Sequence, residues 1–311
     1  MSLTGNVNLK SHVLKENKMA VINTNVAAQI TANALVKNDR EMTQAMERLA
    51  TGSRINSASD DAAGLAVASK LTSQIRGLDQ AVRNGNDAIA LVSTADGAMI
   101  EVGNMLQRMR ELAVQAGNGT LSSTDLTALN TEFVALRTEI ERIADNTQWN
   151  GSNLLDGSAG ASGLMTFQVG YEANQTITVN LGDLQLDGDA TYSAGATGSG
   201  TAGGVFTNDI DSLTITTAAL ANTSLAAIDV SIAGLDAKRS TLGATLNTLE
   251  FAVDNLANAS QNASAARSRI ADADYAKETT ELARTQIIAQ AGTAMLAQAN
   301  QQALSVMALL K

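Results

Sequence analysis

Apolar residues return at every seventh position over long stretches at both ends of the chain. Ala28, Leu35, Met42 and Leu49 are seven apart, and the run closes at Thr51 and Gly52. Such spacing keeps side chains on one side of an α-helix, so it predicts a helix with a single seam. A second helical stretch runs from about Asp61 to Gly117. It carries Ile75, Val82 and Ile89 in one series and Val92, Met99, Leu106 and Ala113 in another. Gly117, Asn118 and Gly119 read as its end. Ser122, Ser123 and Thr124 are N-cap types ahead of Leu126, Leu129, Phe133, Leu136, Ile140 and Ile143, which step by three and four. This is the most regular amphipathic helix in the chain. It stops at Asn146, and Asn150 with Gly151 predicts a turn.

After Gly157 the texture changes. Residues 176–181 and 213–216 alternate with period two, which predicts strands, and a Gly-rich tip separates them at 188–204. Helical period then returns. Leu235, Leu242, Leu249, Leu256, Ala263 and Ile270 are seven apart, followed by Tyr275, Leu282, Ala289, Leu296, Ala303 and Leu310.

The pattern predicts a mainly α protein. Both chain ends form a long antiparallel helical bundle or coiled coil, and a small β-containing insert sits in the middle. The expected shape is a rod with both termini at one end. The divisions are a leader at 1–18, a terminal coiled-coil domain of 19–60 with 272–311, a helical rod of 61–156 with 235–271, and an insert at 157–234.

Composition narrows the chemistry. The chain has no Cys, no Pro and a single His, His12. Thiol nucleophiles, Cys-zinc sites and HExxH metal chemistry are excluded, and a nucleophile–base pair cannot be assembled, so no enzyme, cofactor or metal is expected. Absence of Pro leaves long helices uninterrupted. The formal charge is −10. No Lys or Arg occurs between Arg142 and Lys238, and that gap holds ten acids. The insert therefore reads as an outward-facing acidic module, and nucleic acid is a poor partner. No run of 18 apolar residues exists, so no membrane insertion is expected. Residues 1–18 are polar and lack the apolar core of a signal peptide.

The final helix alternates Leu with Ala along its seam, and Ala buries little area. Such a seam is weak for one pair of helices and suits packing among many. Both ends are expected to be partly disordered alone and to fold when copies pack together. An ordinary intramolecular coiled coil is the alternative.

Specific blocks carry a resemblance. Residues 19–25 (MAVINTN), 49–56 (LATGSRIN), 60–65 (DDAAGL), 107–115 (QRMRELAVQ), 266–276 (ARSRIADADYA), 290–293 (QAGT) and 296–301 (LAQANQ) stand in the order found in bacterial flagellin. The chain resembles that family over about 19–155 and 235–311. The resemblance implies a subunit that self-assembles into the flagellar filament, with terminal helices at its core. It implies Leu35, Met42, Leu49, Leu282, Leu296 and Leu310 in self-assembly. It also implies export through the flagellum's own channel, with an export chaperone and cap proteins as partners. Arg108, Leu112, Gln115 and Glu132 match positions at which the family is recognised by Toll-like receptor 5. Packing against neighbouring subunits is the first role expected for that face, and innate immune recognition the second. Leu304, Val306, Leu309 and Leu310 resemble the stretch sensed by cytosolic immune receptors and docked by the chaperone. Residues 1–18 have no counterpart in the family, whose usual first residue matches Met19.

Other motifs weigh little. Gly198, Gly200 and Gly203 fit GxGxxG, but no strand leads in and no helical period follows. Asp187, Asp189, Asp209 and Asp211 lack the EF-hand pattern. Adjacent Asp60 and Asp61 suit a cap or an inter-subunit polar contact. The competing readings are a hook–filament junction protein and a cell-surface binding homologue using the insert.

Overall fold

A computed structural model of the chain describes residues 24–161, 163–186, 205–206 and 210–308. In order these form α1 (Val26–Thr51), α2 (Ala62–Ala116), α3 (Ser123–Asn146), β1 (Gln148–Trp149), β2 (Ser152–Asn153), β3 (Leu164–Gln168), β4 (Thr176–Asn180), α4 (Ala218–Ala271) and α5 (Tyr275–Ala308). They group into two compact units: one from the two chain ends, up to Ala66 and from Arg269, and one of Val67–Ser268.

The first unit is an antiparallel pairing of α1 with α5. Asn25 Nδ2 donates to the Ala299 carbonyl, Asn38 Nδ2 to the Thr285 carbonyl, and Arg48 to Glu278. Numbers rise on one helix as they fall on the other. Asn25 caps α1 by accepting from Ala28, and Gly52 closes it in the left-handed region at φ 70°.

In the second unit, α2 and α4 also run antiparallel. Arg110 meets Asp229, Arg239 meets Asp96, and Ser260 donates to Asp79. Helix α3 begins with a capping box in which Ser122 and Asp125 satisfy each other's backbone N–H. Its Phe133, Ile140 and Ala144 are buried with Val92, Met99, Leu106 and Met109 of α2 and Leu235 and Leu242 of α4. The expected turn at Asn150 and Gly151 joins β1 to β2 with both residues at positive φ, the two-residue hairpin arrangement. Strand β3 pairs antiparallel with β4, Leu164 opposite Asn180 and Gln168 opposite Thr176.

Three expectations need correction. Residues 213–216 are not a strand. Ile215 is buried, its N–H goes to Asn130 of α3, and the Thr214 carbonyl accepts from Ser224, so side chains take the place of a strand neighbour. Helix α4 starts at Ala218, well before Leu235. Its early stripe is Ala221, Ser224, Ile228 and Ser231, all buried, and small polar residues in that stripe hide the apolar period. The middle segment does not stand apart either: Val179, Leu181, Leu184, Leu186, Val205, Phe206 and Ile210 belong to the same buried core as the helices. Helix α4 also holds an 18-residue window of mean hydropathy 1.4, interrupted by polar residues but apolar and long enough by composition to cross a bilayer. That stripe packs in the core and Asp229 in the same stretch pairs with Arg110, as a core helix does.

Candidate assembly surface

The terminal seams lie where their spacing places them. Leu35, Met42, Leu49, Leu282 and Leu296 are half-buried in the unit where α1 pairs with α5. Leu35 packs on Gly292, where an added Cβ would come within 3.2 Å of Cδ1. Leu310 falls outside the described residues, as do residues 1–18, the Gly-rich tip, Asp187, Asp189 and Asp209. The side chains of Leu304, Val306 and Leu309 do too. Tyr275, expected in the seam, is exposed, because α1 has already closed at Thr51.

Between α1 and α2 the chain folds back onto the end of α4 and the link that leads into α5. The Arg54 N–H donates to the Ala271 carbonyl at 2.7 Å, Arg54 Nη2 to Ile270 at 2.6 Å, and the Ala273 N–H to Gly52 at 2.9 Å. Asp60 accepts from the Ser57 and Asn56 backbone, the Ser57 hydroxyl and Gln44, and these bonds hold its carboxyl below the usual range. Asp61 caps α2 by accepting from the Gly64 N–H at 2.8 Å. The two adjacent acids thus act as loop tie and helix cap.

Seam packing leaves an apolar set facing out. Ile30 of α1 is 64% exposed, and Ile287 and Met295 of α5 are 67% and 64% exposed. Val26, Val36, Met46 and Ile288 are exposed as well. A two-helix pairing covers one stripe of each helix and cannot cover the rest. The seven-residue repeat reports the inner stripe only, so it misses these positions. Their signal is apolar residues placed off the repeat.

The four residues matched to receptor recognition do not share one surface. Arg108 Nη2 reaches Glu132 of α3 at 2.8 Å and its Nη1 reaches Glu111 at 2.9 Å, all at exposed positions. Hydrogen bonds to Glu111 and then Glu132 raise the guanidinium pKa further. Gln115 is exposed, whereas Leu112 is 1% exposed and turned into the core. Among the described residues no group of three or more His, Asp or Glu side chains gathers to hold a metal.

Comparison with known proteins bears on this arrangement. The bacterial flagellin N-terminal helical region matches residues 22–160, and the C-terminal helical region matches 225–310. Flagellin of Halalkalibacterium halodurans is 45% identical over 291 residues, covering 94% of this chain and all of that one. Flagellin of Bacillus subtilis is 42% identical, covering 93% of this chain and 99% of that one. A Vibrio parahaemolyticus protein described as flagellar hook-associated shares the fold. It has a TM-score of 0.53 at 17% identity and covers 68% of this chain and all of that one.

Proposed function

The chain belongs to the bacterial flagellin family, a family of filament-forming structural subunits and not enzymes, and from that premise we propose how this subunit polymerises. The seam residues Leu35, Met42, Leu49, Leu282 and Leu296 join α1 to α5. The outward set of Ile30, Ile287 and Met295 then packs against other copies in the extracellular filament. The observation that carries this reading is the exposure of those three side chains, each roughly two-thirds uncovered on the paired helices. Burying such side chains between copies contributes about 25 cal/mol per Å² of apolar surface. Repeated around a helical polymer, that surface drives assembly.

Export through the flagellar channel, a chaperone on the last residues and a cap at the growing tip are part of the same proposal. The absence of Cys suits a chain moved unfolded. Recognition by Toll-like receptor 5 is assigned to Arg108, Gln115 and Glu132, with Leu112 supporting that face from within. Alanine at Arg108 and Glu132 is expected to weaken receptor signalling by purified subunits. Unchanged signalling removes that assignment.

Seeded assembly tests the main reading. Sedimentation of the full chain and of a chain lacking 275–311 is compared after adding filament seeds. Growth of the full chain alone is expected. Equal growth of the truncated chain overturns the role of the terminal helices, and no growth of either favours a junction or surface-binding role.

A further inference from the structure

The seam between α1 and α5 repeats itself. Leu282, Ala289, Leu296, Ala303 and Leu310 recur every seven residues on one side, as do Ala28, Leu35, Met42 and Leu49 on the other. Sliding one helix past the other by seven residues restores nearly the same apolar pairing, so apolar packing alone leaves several alignments of similar energy.

Two side-chain contacts break this degeneracy, beside a buried polar one whose acceptor is a backbone carbonyl found in every alignment. Buried Asn38 donates to the Thr285 carbonyl at 2.8 Å. Arg48 meets Glu278 at 3.2 Å, with the Glu278 side chain 8% exposed. Leu35 seats on Gly292, the one glycine in the α5 sequence. A slide of seven residues in one direction sets Glu278 opposite Glu41 and Arg48 opposite Ala271. A slide the other way carries Glu278 past the end of α1 and sets Arg48 opposite Thr285. Either slide strands a desolvated charge, and one opposes two carboxylates. The pair is not optimised for stability: among the described residues Arg48 Nε is buried without a hydrogen-bond partner, beside a cavity of about 210 Å³. A buried polar contact with incomplete bonding adds little to stability, yet it discriminates strongly between alignments.

We propose that Arg48, Glu278 and Gly292 set the register of α1 against α5, selecting one alignment from a family of heptad-related ones. This rests on the assembly reading above. A filament gathers many identical α1 and α5 helices, and the register decides which outward residues each subunit offers its neighbours.

Because the chain has no Cys, engineered pairs are its only thiols. Ala28→Cys with Ala299→Cys reports the observed alignment. Leu35→Cys with Ala299→Cys, and Thr31→Cys with Ala289→Cys, report slides of seven residues in either direction. A slide moves the Cα atoms by about 10 Å at 1.5 Å per residue, beyond disulfide reach. Each pair is placed in the full-length chain and in a chain also carrying Arg48→Met, Glu278→Met and Gly292→Ala. Oxidised filaments and soluble chain are scored by non-reducing gel and peptide mass. The unsubstituted background is expected to give the first disulfide alone. The triple substitution is expected to raise the slid products to a yield comparable with it. Exchange of the charges, Arg48→Glu with Glu278→Arg, is expected to restore the single product, whereas Arg48→Glu alone gives slid products. Two results overturn the proposal: a triple variant that still forms only the first disulfide, or slid products already present in the unsubstituted background. Failure of the unsubstituted chain to form filaments counts instead against the assembly reading, with the cross-link comparison still read on the soluble chain.

Discussion

Lys238 of α4 donates to the side-chain oxygen of Asn180 at the end of β4, at 2.5 Å. Its Cε lies 2.8 Å from where a Cβ at Gly182 would fall, so this glycine makes room for the lysine stem. Burial pushes the ammonium down to about 8. An unfolded lysine titrates near ~10.4. Below pH 8 both states hold the proton, and burial of the charge weighs fully against folding. Between about 8 and ~10.4 only the unfolded chain holds it, so stability rises with pH through that window. The rise from this residue is expected to be ~1–2 kcal/mol after allowance for partial exposure. Lys238→Met removes it. Urea midpoints at pH 7.5 and pH 10 for parent and variant measure the difference, and an equal rise in both contradicts the assignment.

Gly85 of α2 faces Val253 of α4, and an added Cβ would lie 2.4 Å from Val253 Cγ2. Helix propensity alone favours Ala over Gly by ~1 kcal/mol. Overpacking a filled contact costs ~1–3 kcal/mol, so the clash wins. Gly85→Ala is expected to destabilise, and adding Val253→Ala to reverse the sign. Chemical denaturation of the two single variants and the double variant completes the cycle. Independent, additive effects rule the contact out.

Two phenylalanines make a control pair. Phe133 is fully buried and Phe251 is 74% exposed. Phe133→Ala is expected to cost ~3–5 kcal/mol, because it leaves a cavity between α2 and α3. Phe251→Ala should stay within ~0.5 kcal/mol in the monomer. Unfolding followed by circular dichroism separates them, and comparable losses would falsify the burial assignment.

Most of the helical framework was legible. Leu126, Phe133, Ile140 and their neighbours alternate by three and four because α3 buries one stripe and exposes the other. Gly52, Ser122 and Asn150 marked ends and turns because their backbone and capping roles are local. What failed depended on tertiary partners. Ser224 and Ser231 are core residues of α4 whose small polar side chains break the apolar rhythm. Strand β3, Leu164–Gln168, lacks clean alternation and exists through pairing with β4. Residues 213–216 alternate yet find Asn130 and Ser224 instead of a strand. At the candidate surface, the repeat marked the seam, while Ile30, Ile287 and Met295 became distinct only once the seam was closed.

The outward apolar set can be challenged without touching either hydrophobic core. Ile287→Asp and Met295→Asp are expected to leave the thermal unfolding of the Val67–Ser268 unit unchanged, since both lie outside it. A shift of its midpoint by more than ~2 °C, about 0.5 kcal/mol for a domain of this size, contradicts that separation.

Negative-stain electron microscopy of seeded assembly by the full chain and by the Ile287→Asp, Met295→Asp variant tests the central claim most directly. Long filaments from the parent and none from the variant are the predicted result. Filaments of equal number and length from both would contradict it, because the exposed row on α5 would then have no part in joining one copy to the next.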